Sequence, residues 1–260
     1  WKYFRDFKSL KIVGTPSTGT NHIDIEALSE NNIKVVCLLD DKQSLENIHA
    51  SAEFTWLHIM NLCRKFTLAT SSVSNWRSDK NEKYLRSREL YGKTIGIIGM
   101  GRIGNKISKY ANAFGLDVLF YDPYVKESKF TATKVNNLSE LVECDIISIN
   151  CVLNKETNGM ISKGVWDKIR SGTIVVNTSR GEVVDEDYIC NLIKDNGIVF
   201  GSDVLENEQD IDLLKKSPLL NLSRESKNVV ITPHVAGATS ESQTLALVTI
   251  LDLARRALWK

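Results

Sequence analysis

Between Lys93 and Gly104 the chain reads Lys-Thr-Ile-Gly-Ile-Ile-Gly-Met-Gly-Arg-Ile-Gly. Residues 94–98 are short, apolar and β-branched, the pattern of a buried strand. Gly99, Gly101 and Gly104 then form G-x-G-x-x-G, and residues 105–114 put Ile107, Tyr110, Ala111 and Phe114 on one helical face. Strand, glycine turn and helix in that order can receive a dinucleotide. Gly99 permits the tight turn, Gly101 leaves room for backbone to approach a pyrophosphate, and Gly104 lets the helix pack close to the strand. The helix N-terminus offers N–H groups and a partial positive charge to the phosphates. Residues 116–121 predict a second strand ending at Asp122, eighteen residues past Gly104. A carboxylate there can accept hydrogen bonds from both hydroxyls of an adenosine ribose. The same glycine turn also occurs in other doubly wound proteins, such as methyltransferases.

A chain of 260 residues has room for one large or two small domains. With 42% hydrophobic and 25% charged residues it has the composition of a soluble globular protein. Its net charge of +1 provides no global field for nucleic acid or an anionic membrane. No apolar run reaches the roughly eighteen residues of a bilayer span, and the first six residues do not read as a signal peptide. The cysteines are Cys37, Cys63, Cys144, Cys151 and Cys190, an odd number with no C-x-x-C pair. They read as buried, reduced thiols of a cytoplasmic protein, and no metal-ligand cluster or metal is expected.

The rest of the chain alternates strand and helix. Residues 10–13 predict a strand, 14–20 a loop, 25–31 a helix and 34–39 a strand. In that loop Ser17, Thr18 and Gly19 can present backbone N–H groups to an anion, or form an ordinary strand-to-helix turn. Residues 40–47 read as a loop. Residues 48–66 read as a helix apolar on all sides, to be buried between domains or subunits. Residues 67–91 read as a polar surface excursion, a linker or a dimer contact. Helices are expected at 135–141, 163–169, 186–195 and 241–259. Strands are expected at 145–150, 172–177, 198–204 and 229–232. Repeated strand–helix units make a parallel, doubly wound sheet.

Three strand ends carry reactive side chains. Arg180 follows the strand at 172–177, where open α/β sheets bind ligands, and its guanidinium can hold a carboxylate bidentately. Asp203 lies at the end of the strand at 198–204, with Glu206 three residues on in the loop. His234 follows the short strand at 229–232 and is placed to act as an acid or base near neutral pH. His22, His49 and His58 read as structural, with His58 a satisfied core residue.

In their order these motifs resemble the D-2-hydroxyacid dehydrogenase family, which includes phosphoglycerate, glycerate and D-lactate dehydrogenases. The matching stretches are the loop with Asn21-His-Ile-Asp24, the helix around Ala52-Glu53, and Gly99 to Gly104 with Asp122. Beyond them come Asn177-Thr-Ser-Arg-Gly181, Asp203-Val-Leu-Glu206 and Pro233-His-Val-Ala-Gly-Ala-Thr239. The resemblance implies a Rossmann-type NAD-binding domain at 48–240, inserted in a smaller, flavodoxin-like substrate domain. That domain would be formed by residues 1–47 and the helix at 241–260. It implies NAD as cofactor, a small 2-hydroxyacid or 2-oxoacid as substrate, and a homodimer, with neither nucleic acid nor membrane as a partner. By family position Arg180 binds the substrate's carboxylate or carbonyl oxygen, His234 exchanges a proton with its hydroxyl, and Glu206 pairs with His234. Thr18 and Gly19 would hold the substrate carboxylate. Gly99, Gly101, Arg102, Ile103, Gly104, Asp122, Thr178, Asp203 and Gly237 would contact the cofactor, with Asp203 near the nicotinamide. The family also contains NAD(H)-sensing corepressors that keep the fold and work by partner binding, which turnover of a 2-oxoacid would distinguish.

Two departures stand out. Where many members have His-x-Pro, this chain has Asn150-Cys-Val152, at the border of the cofactor cleft. Only nine residues precede Leu10, where the family normally has further strand–helix units. A fragment, a truncated product or a shortened variant would each give this. Such a chain is expected to leave apolar surface uncovered, to bind NADH and to reduce 2-oxoacids slowly or not at all.

Overall fold

The computed structural model describes residues 7, 9–20, 22–76 and 79–259. The chain divides into two compact units, residues 1–50 with 237–260, and residues 51–236. The first unit opens with β1 (Ile12–Thr15), α1 (Ile25–Glu30) and β2 (Lys34–Cys37). The two strands pair in parallel, Ile12 opposite Lys34 and Thr15 opposite Cys37. Asp24 caps α1 by accepting from the Ala27 N–H. A short helix, α2 (Lys42–Glu46), follows where the sequence reads as a loop, because the Asp41 side chain caps it at the Ser44 N–H. Among the described residues this unit has two strands, too few to display the flavodoxin-like order expected of it.

The second unit begins in α3 (Ala50–Arg64), whose Ala52, Trp56, Ile59, Leu62 and Cys63 enter the core. Leu57, on the opposite face of this helix, is exposed in the single chain. The stretch read as a polar excursion contains two helices, α4 (Phe66–Ser71) and α5 (Asp79–Leu85). Next come β3 (Thr94–Ile98), α6 (Arg102–Ala113), β4 (Asp117–Tyr121), β5 (Thr133–Lys134), β6 (Ile146–Ile149) and β7 (Ile174–Asn177). The unit continues through α7 (Glu186–Asn191), β8 (Val199–Ser202), α8 (Ile211–Leu214), α9 (Pro218–Glu225) and β9 (Val229–Ile231). The helices expected at 135–141 and 163–169 are single 3₁₀ turns, at Leu138–Glu140 and Val165–Lys168.

The seven strands lie in the order β5-β4-β3-β6-β7-β8-β9, all parallel. The sheet is covered on both faces, and side chains alternate between two cores as strand geometry requires. Ile95, Ile97, Ile146 and Ile174 join Ile107, Ala111 and Phe120 on one side. Ile98, Ile147, Ile149 and Val175 join Leu141, Trp166 and Ile189 on the other. Successive strands step away from β3 in opposite directions, β4 and β5 on one side and β6 to β9 on the other. Such a reversal, at the C-terminal strand ends, is where open α/β sheets bind their ligands.

The chain then returns to the first unit as α10 (Ser240–Leu258), capped by the Thr239 hydroxyl. Its Ala246 and Ile250 close a small core with Val36, Leu38, Leu45 and Ile48. Leu247, Leu251 and Leu258 on the same helix stay exposed beside a groove of about 530 Å³ shared with Leu10 and Ile12.

Candidate active site

The glycine turn sits at the point where the strand order reverses. Gly99 has φ +90°, and a Cβ there would lie 2.8 Å from the Cys151 nitrogen. A Cβ on Gly104 would lie 2.1 Å from the Gly99 oxygen, so only glycine lets α6 start this close to β3. Gly101 has nothing within 4 Å of where its Cβ would be, so the space over the turn is open. Asn105 ties the turn down: its side-chain amide donates to the Met100 and Gly101 carbonyls at 2.8 and 2.9 Å, and its oxygen accepts from the Lys129 N–H at 2.7 Å.

Asp122 ends β4 beside this turn. One carboxylate oxygen accepts from the Met100 N–H at 2.8 Å, the other from the Tyr124 and Val125 N–H groups at 2.8 and 3.0 Å. The acid read as a ribose partner thus also braces the turn. The open space over Gly101, the first turn of a 12-residue helix and the carboxylate at the end of β4 fit the pyrophosphate and ribose of NAD. At the departure Asn150-Cys-Val152 the chain is held by its backbone, the Asn150 N–H donating to the Ile98 carbonyl at 2.7 Å.

Arg180 lies just past β7. Buried Asn177 shapes its loop: the side-chain oxygen accepts from the Ser179 N–H at 3.0 Å and the amide donates to the Arg180 carbonyl at 2.9 Å. The guanidinium donates to the Ser179 carbonyl at 2.7 Å. Gly181 touches the next loop, since a Cβ there would fall 2.0 Å from the Leu205 carbonyl carbon. The loops after β7 and β8 are therefore in backbone contact.

The acid on His234 is Glu208, which corrects the expected pairing with Glu206. His234 Nδ1 is hydrogen-bonded to Glu208 Oε1. Glu206 is exposed, and its N–H donates to buried Glu186 at 2.9 Å. The cause is the turn at Asn207, whose φ of +54° reverses the chain after Glu206 and brings Glu208 back to the imidazole. Asn after a pair of loop residues is a signal for such a reversal, and it was available in the sequence.

The bond to Glu208 holds the His234 imidazole above its ordinary pKa, against burial and the Arg180 charge, which lower it. Burial pushes the Glu208 carboxyl up. The His234 bond, the Leu205 N–H and the charges of His234 and Arg180 outweigh burial and bring it below its ordinary value. Glu206 moves the other way, raised by burial and then by Glu186, Glu182 and Asp185.

The other expected contacts divide. Ile103 packs against the core under α6, and Arg102 opens that helix. The Thr178 hydroxyl is 2.6 Å from that of Thr55. Asp203 directs its carboxylate to Thr232, Val235 and Ala236, the loop that carries His234. Gly237, Thr18 and Gly19 belong to the other unit. There the Ser17 hydroxyl donates to the Gly19 carbonyl, while Asn21 lies outside the described residues.

Comparison with known proteins identifies the fold and its lineage. The sequence model of the D-isomer specific 2-hydroxyacid dehydrogenase NAD-binding domain matches residues 56–236. D-3-phosphoglycerate dehydrogenase of Bacillus subtilis is 35% identical over 246 residues, covering 92% of this chain and 44% of that protein. The chain thus spans about half the length of that relative. Hydroxypyruvate reductase of Thermotoga maritima is 33% identical over 247 residues, 94% of this chain and 76% of the relative. The crystal structure of D-lactate dehydrogenase from Aquifex aeolicus, complexed with NAD and lactic acid, superposes with a TM-score of 0.83 at 29% identity, covering 99% of this chain and 79% of that one. Glycine turn, strand-end arginine and histidine–glutamate pair thus sit on a matched NAD-binding domain, and the chain belongs to the D-isomer specific 2-hydroxyacid dehydrogenase family.

Proposed function

We propose that this chain works as an NAD-dependent oxidoreductase on a small D-2-hydroxyacid and its 2-oxoacid. The reading is carried by one observation: His234 engages Glu208 through Nδ1, with the Arg180 charge acting on both. Bound NAD would accept or supply the hydride. With Nδ1 committed to Glu208, Nε2 is the nitrogen left to exchange a proton with the substrate oxygen. Glu208 orients the ring and favours its charged form, which makes His234 an acid suited to ketone reduction. Arg180 gives up its bond to its neighbour's carbonyl, orients the 2-oxoacid and offsets charge developing on the reacting oxygen. The free cysteines fit a reducing, cytoplasmic setting. The homodimer is an inference from the family, to be checked by sedimentation.

The deciding experiment is a panel of glyoxylate, hydroxypyruvate, pyruvate and phosphohydroxypyruvate with NADH. It is run on this chain and on a chimera extended at its N-terminus from the Bacillus subtilis relative. Turnover of one oxoacid in either form supports the reading; no turnover of any in both forms refutes it. The same samples test nucleotide choice. Asp122 would repel a 2′-phosphate, and the Pro123-Tyr124 that follows supplies no cation to offset it. NADH should bind at least about tenfold more tightly than NADPH, a difference of about 1.4 kcal/mol. Equal affinities in a fluorescence titration would defeat that assignment.

A further inference from the structure

We propose that His58 is a positioning residue for His234, acting through Thr232 and Asp203; the catalytic part of this inference rests on the function proposed above. His58 is on α3, and its side chain is buried. Its Nε2 lies 3.0 Å from the Thr232 hydroxyl, which in turn lies 2.6 Å from the Asp203 carboxylate. A carboxylate accepts, so the Thr232 proton points to Asp203, and the hydroxyl oxygen is left to accept from His58. That assigns the proton of His58 to Nε2. Its Nδ1 is buried without a hydrogen-bond partner, and a Cβ on Gly201 would come within 3.0 Å of it. Burial also lowers the ring's pKa, in keeping with a neutral imidazole.

The expectation of a satisfied core histidine is therefore met at one nitrogen only. An apolar side chain would fill this place without leaving a polar atom unpaired. What the imidazole adds is direction. Asp203 is buried and holds the loop at three points: the Thr232 hydroxyl, the Val235 N–H at 3.0 Å and the Ala236 N–H at 2.7 Å. His234 lies between those anchors with φ at +52°, and its own N–H donates to the Asp203 carbonyl at 2.8 Å. A donor on the Thr232 oxygen polarises the hydroxyl toward Asp203 and keeps it from turning elsewhere. His58 thereby fixes one end of the loop that aims His234.

The test uses the 260-residue chain, with ¹⁵N-labelled histidine and backbone amides observed by NMR. In the unaltered protein His58 should show the Nε2–H tautomer at neutral pH. In His58→Leu, and in Thr232→Val, which cuts the next link, the Val235 and Ala236 amides should exchange about tenfold faster. Ile147 and Val176, in the centre of the sheet, should change less than about twofold. His58→Gln, which can place a donor near the Nε2 position, should restore slow exchange. In the form that turns over 2-oxoacids, His58→Leu should lower kcat about tenfold with NADH affinity unchanged, and His58→Gln should recover most of it. An Nδ1–H tautomer, equal acceleration at all four amides, or wild-type exchange in His58→Leu would overturn the proposal. If the tautomer and exchange results hold while no form reduces a 2-oxoacid, the loop-positioning role stands and the proposed reaction falls.

Discussion

His234→Ala is expected to lower 2-oxoacid reduction by about 10²–10⁴-fold, the range that a positioned acid–base group contributes. NADH affinity should stay within about twofold of wild type. The separation follows from where each task is held. The glycine turn is braced by hydrogen bonds of Asn105 and Asp122, and none of these bonds involves His234. The loop around position 234 is anchored by Asp203 through Thr232, Val235 and Ala236, none of which needs the imidazole. The substitution should therefore remove the proton exchange and leave the fold and the nucleotide site in place. Stopped-flow reduction and a fluorescence titration on the same preparation check both halves. Wild-type turnover would sink the role given to His234.

Exchanging the two loop acids separately should give unequal results. Glu208→Gln is expected to lower reduction by about a hundredfold, while Glu206→Gln changes it less than about twofold. The pH profiles should differ in the same sense. Reduction needs protonated His234, so its rate holds at low pH and falls as pH rises through the pKa of that group. Glu208 sets this pKa above the ordinary 6.5. Removing the carboxylate charge lowers it and moves the falling limb toward acid. Oxidation of the hydroxyacid needs the neutral ring, so its rising limb should move the same way. Glu206 bonds Glu186 through its backbone and should leave both limbs where they are. An acid shift in Glu206→Gln, with none in Glu208→Gln, would return the pairing to Glu206.

The choice between these acids marks where the sequence stops being readable. Strand ends are legible because β-branched runs stop at polar residues, and Arg180, Asp203 and His234 all follow such stops. A pairing across 26 residues depends on a backbone reversal instead, and here it turns on a single left-handed asparagine. The seven-stranded sheet was legible for the same local reason: its central strands are short apolar runs bounded by glycine and charge. The small helices were less so. Ser217-Pro218 is an N-cap followed by proline, a start signal for α9 that the periodicity of its eight residues is too short to advertise. The turns at Leu138–Glu140 and Val165–Lys168 carry helical spacing, but they extend for only one turn. His58 was read from its apolar neighbours. Its link to Thr232 joins positions 174 residues apart, which no local pattern encodes.

The backbone at position 234 has a consequence for how this protein can change. His234 sits at φ +52°, a conformation open to glycine at no steric cost and otherwise populated mainly by asparagine, aspartate and histidine. The position proposed for proton transfer is thus one where replacement by glycine would relieve the backbone while removing the imidazole. A lineage released from the need for turnover would shed the imidazole early. It would keep the sheet, the glycine turn and the nucleotide pocket. Seen this way, a nucleotide-binding protein without enzymatic activity is one tolerated substitution away from this fold.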